Sequence, residues 1–208
     1  MKKISILTIG ILFMFSLSNL KAQTTGTFED KRDGKIYKTV EIGEQVWMAE
    51  NLAFKADSGY WAYDNDESNV ARYGFLYNFE TARNACPSGW HLPTDEEWQK
   101  LEIELGMSPV DANNTGYRGS IADKFRSEKY WKMNGSGTNE NGFNVIPAGY
   151  RDAKYNMFLS KGNNGYFWSD RQNNNSKIWI RNFVSGVQKI GRQFSNKDAG
   201  VSVRCVKN

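Results

Sequence analysis

Cys86 and Cys205 are the only cysteines in a chain of 208 residues, and 119 positions separate them. Where the chain matures decides what they do. In an oxidising compartment two cysteines form one disulfide by default, and a loop of this size stabilises by about 4–5 kcal/mol in the chain-entropy model. In a reducing compartment the alternative is two buried thiols. Neither cysteine has the basic or His-rich neighbours that would lower its pKa for catalysis.

The first residues bear on the compartment. Lys2 and Lys3 precede an apolar run from Ile4 to Leu17, and Leu20-Lys21-Ala22 ends in a small residue before Gln23. These are the three parts of a secretory signal, which places residues 1–22 as a signal peptide cleaved after Ala22. The run is shorter than the ~20 residues that span a bilayer, so an uncleaved anchor is the weaker alternative. Removal of Lys2, Lys3 and Lys21 takes 27 basic residues to 24 against 23 acidic ones, and a net charge of +4 to +1. The apparent basicity belongs to the signal. No Lys/Arg-rich run follows, so no nucleic-acid partner is expected, nor a transmembrane helix after cleavage.

Residues 23–34 read as a short polar lead-in, with a single domain over 35–208. Ile36, Val40 and Ile42, then Val46 and Met48, alternate with polar residues on either side of Gly43-Glu44, a β-hairpin signal. Residues 55–74 and 107–118 read as loops. A helix is expected from Tyr77 to Ala85, ending before Pro87. Thr94 and Glu97 form a capping box, Asp95 and Glu96 favour a helix N-terminus, and Gly106 follows the last turn. Trp98, Leu101 and Leu105 give that helix an apolar stripe. A short helix is expected at 120–127, and strands at 144–148, 166–169, 177–183 and 200–207. In the last, Val201, Val203 and Cys205 alternate with Ser202 and Arg204, which suits one buried face. The fold class is α+β.

Catalytic equipment is sparse. With one histidine, a His cluster for zinc is excluded. His91, in GWHLP ahead of the capped helix, reads as a hydrogen-bonded structural residue rather than a general base. No nucleophile elbow and no phosphate-binding glycine loop occurs. Asp64, Asp66 and Glu67 lack the Gly and distal Glu of an EF-hand loop, and Asp95, Glu96 and Glu97 are explained by helix capping. The 29 aromatic residues stand out, many beside Gly, Asn, Asp or Arg. Such faces suit sugar rings or protein surfaces, or simply fill a core.

The blocks DGKIYKTVEIGEQVWMAENL, ACPSGWHLPTDEEWQKLE, GFNVIPAGYRD, GYFWS and SVRCVKN, in order from Asp33 to Asn208, closely resemble the Fibrobacter succinogenes major paralogous domain. The resemblance implies a C-type lectin-like fold, with two or three helices, short antiparallel strands and long irregular loops. It also implies an exported protein of Bacteroidetes or their relatives, and a bridge from Cys86 in a helical region to Cys205 in the terminal strand. LPTDEEW looks like a stretch of formylglycine-generating oxidases, which bind copper through a cysteine pair. Here the cysteines match the pre-helix turn and the closing strand, so that pair has no counterpart. Neither Glu-Pro-Asn nor Gln-Pro-Asp, the calcium tripeptides of sugar-binding lectins, occurs at Pro87, Pro93, Pro109 or Pro147. Residues 165–206 are similar to the C-terminal region that some related lectin-fold proteins diversify. That similarity implies a ligand surface between Trp168 and Gly200, with Arg171, Asn173, Asn175, Lys177, Trp179 and Arg181 as its first candidates.

The expectation is a secreted or cell-surface binding module without catalysis. It would lie in the periplasm, on the outer surface or free, and hold a glycan or protein on its C-terminal aromatic, Asn- and Arg-rich loops. No cofactor or metal is expected, and no feature supports calcium. The alternatives are an enzyme, formylglycine-oxidase-like or carboxylate-dependent, and a structural component of a surface assembly.

Overall fold

The computed structural model describes residues 24–174 and 177–208. The signal expected over residues 1–22, and Asn175, lie outside the described residues. The strands are β1 (Thr25–Asp30), β2 (Lys35–Ile42), β3 (Gln45–Met48), β4 (Tyr60–Trp61), β5 (Leu76–Tyr77), β6 (Trp90–His91) and β7 (Gly116–Arg118). They continue with β8 (Tyr150–Asp152), β9 (Met157–Leu159), β10 (Asn164–Asn174), β11 (Lys177–Val184), β12 (Ile190–Asn196), β13 (Val201–Ser202) and β14 (Val206–Lys207). The helices are α1 (Val70–Tyr73), α2 (Phe79–Ala85), α3 (Asp95–Glu104), α4 (Pro109–Asn113) and α5 (Ala122–Phe125). The chain is α+β, with five α-helical segments among the described residues rather than two or three.

A five-stranded sheet runs β1-β2-β3-β14-β6, and a seven-stranded sheet runs β4-β5-β13-β10-β11-β12-β7. A separate hairpin pairs β8 with β9. Pairing is antiparallel throughout the three sheets except between β13 and β10, which run parallel. Residues 23–34 are not merely a lead-in. Thr25 to Asp30 pair with Val40 to Lys35, because Thr27, Phe28 and the alternating arm of β2 supply a strand-forming register. Asp30 closes that turn by accepting from the backbone N–H and the guanidinium of Arg32, at 3.0 and 2.7 Å.

The expected hairpin is β2–β3, in register from Thr39–Met48 to Ile42–Gln45. Residues 107–118, read as a loop, form α4 and β7 instead: Ser108 caps α4 by accepting from Asp111 N at 3.0 Å, with Pro109 in the first turn. Residues 55–74, also read as a loop, contain β4, two 3-10 turns and α1. Residues 144–148 form only an isolated bridge, Val145 to Arg126. Pro147 has no N–H to donate, and Asn144 is left-handed at φ 59°. The expected strand at 200–207 is broken in two: β13 belongs to the larger sheet and β14 to the smaller. Between them Leu52 N donates to Val203 O and Met48 N to Cys205 O, both at 3.0 Å, so the closing segment crosses from sheet to sheet.

Two apolar clusters fill the interior. Successive strand residues point to opposite faces, so β10 sends Phe167 to one cluster and Trp168 to the other, and β3 divides Trp47 from Met48 in the same way. The indole N–H groups are satisfied: Trp168 donates to Tyr77 O at 2.7 Å and Trp98 to Trp168 O at 3.2 Å. Cys86 and Cys205 form the disulfide, with Cα atoms 5.9 Å apart, tying the end of α2 to the closing segment.

Candidate functional site

Helix α3 starts where the capping box requires: Thr94 Oγ1 accepts from Glu97 N at 3.1 Å, and Glu97 Oε2 accepts from Thr94 N at 2.8 Å. The helix thereby fixes Asp95 and Glu102, seven residues apart on one face, against the larger sheet. Both are buried, and three guanidinium groups meet them. Arg181 on β11 donates to Asp95 Oδ1 and Glu102 Oε1, each at 2.8 Å. Arg192 on β12 donates to Asp95 Oδ2 at 2.6 Å, and Arg118 on β7 to Glu102 Oε2 at 2.5 Å. Burial alone would raise the Asp95 pKa, but hydrogen bonds and charge from Arg192 and Arg181 hold it down at about 2. Burial lowers the Arg118 pKa, against the opposing charge of Glu102. The four carboxylate oxygens are all taken by guanidinium donors. Capping therefore explains Asp95 only in part, since the residue is also the hub of this group.

This network changes the reading of the expected ligand surface. Arg181 is 0% exposed and bound to α3, so it is a structural residue and not a loop contact. Trp179 is buried too, its ring 3.8 Å from that of Phe194, with the Arg192 guanidinium 4.0 Å above it. Arg171 is half exposed and paired with Glu96, and lies 3.9 Å from Asp95 Oδ2. Lys177 is exposed at the start of β11. Asn173 lies in β10. The candidates whose side chains are described do not form one surface: Arg171 and Lys177 are exposed, whereas Trp179 and Arg181, in the strand expected at 177–183, are buried.

A different place gathers aromatic, amide and cationic groups. A cleft of about 620 Å³ lies beside α1, within the ~300–1,000 Å³ usual for ligand sites. Tyr73 and Tyr130 line it, with ring centroids 6.4 Å apart in an edge-to-face arrangement. The Arg72 guanidinium lies 4.4 Å from the Tyr130 ring. Asn144 lines it with Lys35 and Glu50, while the buried Asn51 amide beneath is already engaged, donating to Tyr73 O at 2.9 Å and accepting from Arg204 Nε at 2.8 Å. Gly74 lets the chain fold tightly here: at φ 71° a Cβ would come within 2.6 Å of Leu52 O. Tyr130 and Asn144 hold left-handed backbone at φ 78° and 59°, a cost that clusters at functional sites.

Arg204 was expected on the open face of its strand. It is 0% exposed, donating to Asn51 Oδ1 at 2.8 Å and to the carbonyls of Met48, Phe143 and Asn144. Ser202 is buried as well. A segment passing between two sheets has no open face, and that is the physical reason.

His91 bonds on both ring nitrogens, Nε2 to Glu97 Oε1 at 2.9 Å and Nδ1 to Asn208 Oδ1 at 2.6 Å, which orients it at the head of α3. Asp66 caps a 3-10 turn by accepting from Ser68 N at 2.9 Å, and Glu67 pairs with Lys55 at 3.2 Å. Among the described residues no three His, Cys, Asp or Glu are grouped to hold a metal, and neither cysteine is free. No helix among them is long and apolar enough to cross a membrane.

Fold and site together define a disulfide-closed α+β domain, braced by a buried charge network and bearing a cleft lined by tyrosines at α1. The chain belongs to the Fibrobacter succinogenes major domain family, which it matches over residues 40–207. No curated protein and no solved structure matches it.

Proposed function

We propose that the mature chain is an exported, non-catalytic binding module of C-type lectin-like architecture that holds a glycan in the cleft beside α1. The observation that carries this reading is the convergence in one cleft of two tyrosine rings, the Asn144 amide and an arginine stacked on an aromatic face. A sugar offers apolar C–H faces to the rings and hydroxyls to the Asn144 amide and the Arg72 guanidinium. Export is supported by the signal-like residues 1–22 and by the Cys86–Cys205 disulfide. The carboxylates with catalytic potential in α3 are spent on arginines, which favours binding over hydrolysis.

A glycan array followed by titration calorimetry tests the proposal. Ligands that bind should lose about tenfold in affinity in each of Tyr73→Ala and Tyr130→Ala. An array with no ligand, or ligands indifferent to both substitutions, would count against the cleft.

A further inference from the structure

We propose that the outer edge of β1 is a self-association surface. Two copies of this chain pair their β1 strands antiparallel, centred on Thr27, and join their smaller sheets into one. The dimer does not depend on the glycan reading and goes beyond it.

The first observation is an edge left open. β1 ends the five-stranded sheet, and no described strand pairs with its far side. Its register with β2 runs unbroken from Thr25–Val40 to Asp30–Lys35, with no bulge. The other strands that end the two large sheets are short, β4 and β6 with two residues each and β7 with three, which is one way natural edges avoid pairing. β1 has six residues, and neither proline nor lysine guards it. Thr25, Gly26, Thr27 and Glu29 are exposed, and the charge of Glu29 is paired with Lys31 Nζ at 2.8 Å. Glu41 N donates to Thr24 O at 2.9 Å, so the hydrogen-bonded pairs with β2 continue at Gly26–Thr39, Phe28–Tyr37 and Asp30–Lys35. The N–H and C=O groups of Thr25, Thr27 and Glu29 therefore point away from β2, along the open edge.

The second observation is that this edge complements itself. With Thr27 opposite Thr27 of the partner subunit, Thr25 faces Glu29 of the partner subunit, and the reverse. Every outward N–H and C=O of the three residues then finds a partner. Centring on Thr25, Gly26 or Phe28 leaves an outward residue of each strand beyond the other's end, and centring on Glu29 sets like charges opposite each other. In the Thr27 register Phe28, stacked on Tyr37 with ring centroids 5.8 Å apart, lies across from Gly26 of the partner subunit. A glycine there leaves room for an aromatic ring to cover the neighbouring strand. The strands are related by a twofold axis perpendicular to the sheet, an isologous contact that closes at two copies. Lys35 and Ile36, which line the α1 cleft, are the β2 residues opposite Asp30 and Glu29. The dimer therefore opens both clefts to the same side of one continuous sheet, an arrangement that raises avidity for a repeating ligand.

Sedimentation velocity on the mature chain, with its disulfide intact, reads the mass over a wide range of concentration. The expected result is a monomer–dimer equilibrium with nothing larger. Thr27→Pro removes the N–H at the twofold axis, one that β2 does not use, so it should abolish the dimer while the melt stays cooperative. Thr25→Lys and Thr25→Glu test the register, because Thr25 faces Glu29 of the partner subunit. Thr25→Lys should tighten the dimer several-fold and Thr25→Glu loosen it several-fold, each change acting twice across the axis. These two variants carry the test wherever Thr27→Pro melts early. Tyr155→Ala, exposed in the β8–β9 turn, should leave the equilibrium unchanged. A monomer at every concentration overturns the proposal, and so does a dimer indifferent to Thr27→Pro and to both Thr25 variants. Thr25→Lys and Thr25→Glu moving the equilibrium the same way overturns the Thr27 register. Mass that keeps growing past the dimer overturns the closed twofold.

Discussion

Asp95→Asn keeps the shape of the hub of the buried network and removes one charge from it. The native group sets two carboxylates against three guanidiniums; the variant sets one against three, and Arg192 loses its only carboxylate. Breaking a buried ion pair by removing one partner costs about 3–5 kcal/mol, because the remaining charge stays buried and unpaired. The acid limb of the stability curve gives an independent figure. The Asp95 pKa falls from 3.8 to about 2, roughly 2–3 kcal/mol at 1.36 kcal/mol per unit. A depressed folded-state pKa means this stability is present above the unfolded value near 3.9 and fades as pH falls towards 2. Urea unfolding with the disulfide intact should therefore show Asp95→Asn shifted to a lower midpoint at unchanged slope, by about 3–5 kcal/mol at pH 7. Between pH 4 and pH 2 wild type should lose about 1.8 kcal/mol more than the variant does, the rest of the contribution lying outside that window. Glu96→Gln, which touches only the half-exposed Arg171, should stay within about 0.5 kcal/mol. A loss below about 1 kcal/mol in Asp95→Asn at pH 7, or acid limbs that run parallel, would refute the hub.

Reduction, or the double change Cys86→Ser with Cys205→Ser, should cost about 4–5 kcal/mol in denaturant unfolding, since it frees the longest closed loop in the chain. Thr94→Ala should cost about 1 kcal/mol by the same assay, because Glu97 N loses its cap and Glu97 loses its reciprocal anchor. Arg181→Ala should lower the melting temperature sharply with no separate effect on ligand affinity in the folded fraction. A stable Arg181→Ala variant that has lost binding would restore the expected surface on β11.

Local chemistry in this chain was legible and distant chemistry was not. The capping box at Thr94 and Glu97 and the alternating arms around Gly43-Glu44 are written in neighbouring residues, so α3 and the β2–β3 hairpin stand where the pattern puts them. The disulfide followed from cysteine number and compartment. Strand β1 was hidden because a polar composition masks an edge strand, whose exposed face needs no apolar residues. The cleft was hidden for another reason. Tyr73, Tyr130, Asn144 and Arg204 come from four separate parts of the chain, and the one local hint, left-handed backbone at a tyrosine, has no sequence signature.

Arg181 and Arg204 show where strand alternation misleads. Both sit in short apolar-polar patterns near the C-terminus, and a polar residue in such a pattern is read as facing water when one face of the sheet is buried. Here the central strands are covered on both faces, so a polar position in β11 or between β13 and β14 must find its partner indoors. What each arginine then does is set by what lies across from it. Arg181 meets two carboxylates that α3 delivers, and its charge is used up in holding helix to sheet. Arg204 hydrogen-bonds only neutral oxygens, with Glu50 acting on its charge through space, and it has no exposed surface. The same side chain thus ties helix to sheet in one place and, in the other, pins backbone carbonyls of Met48, Phe143 and Asn144 to the closing segment.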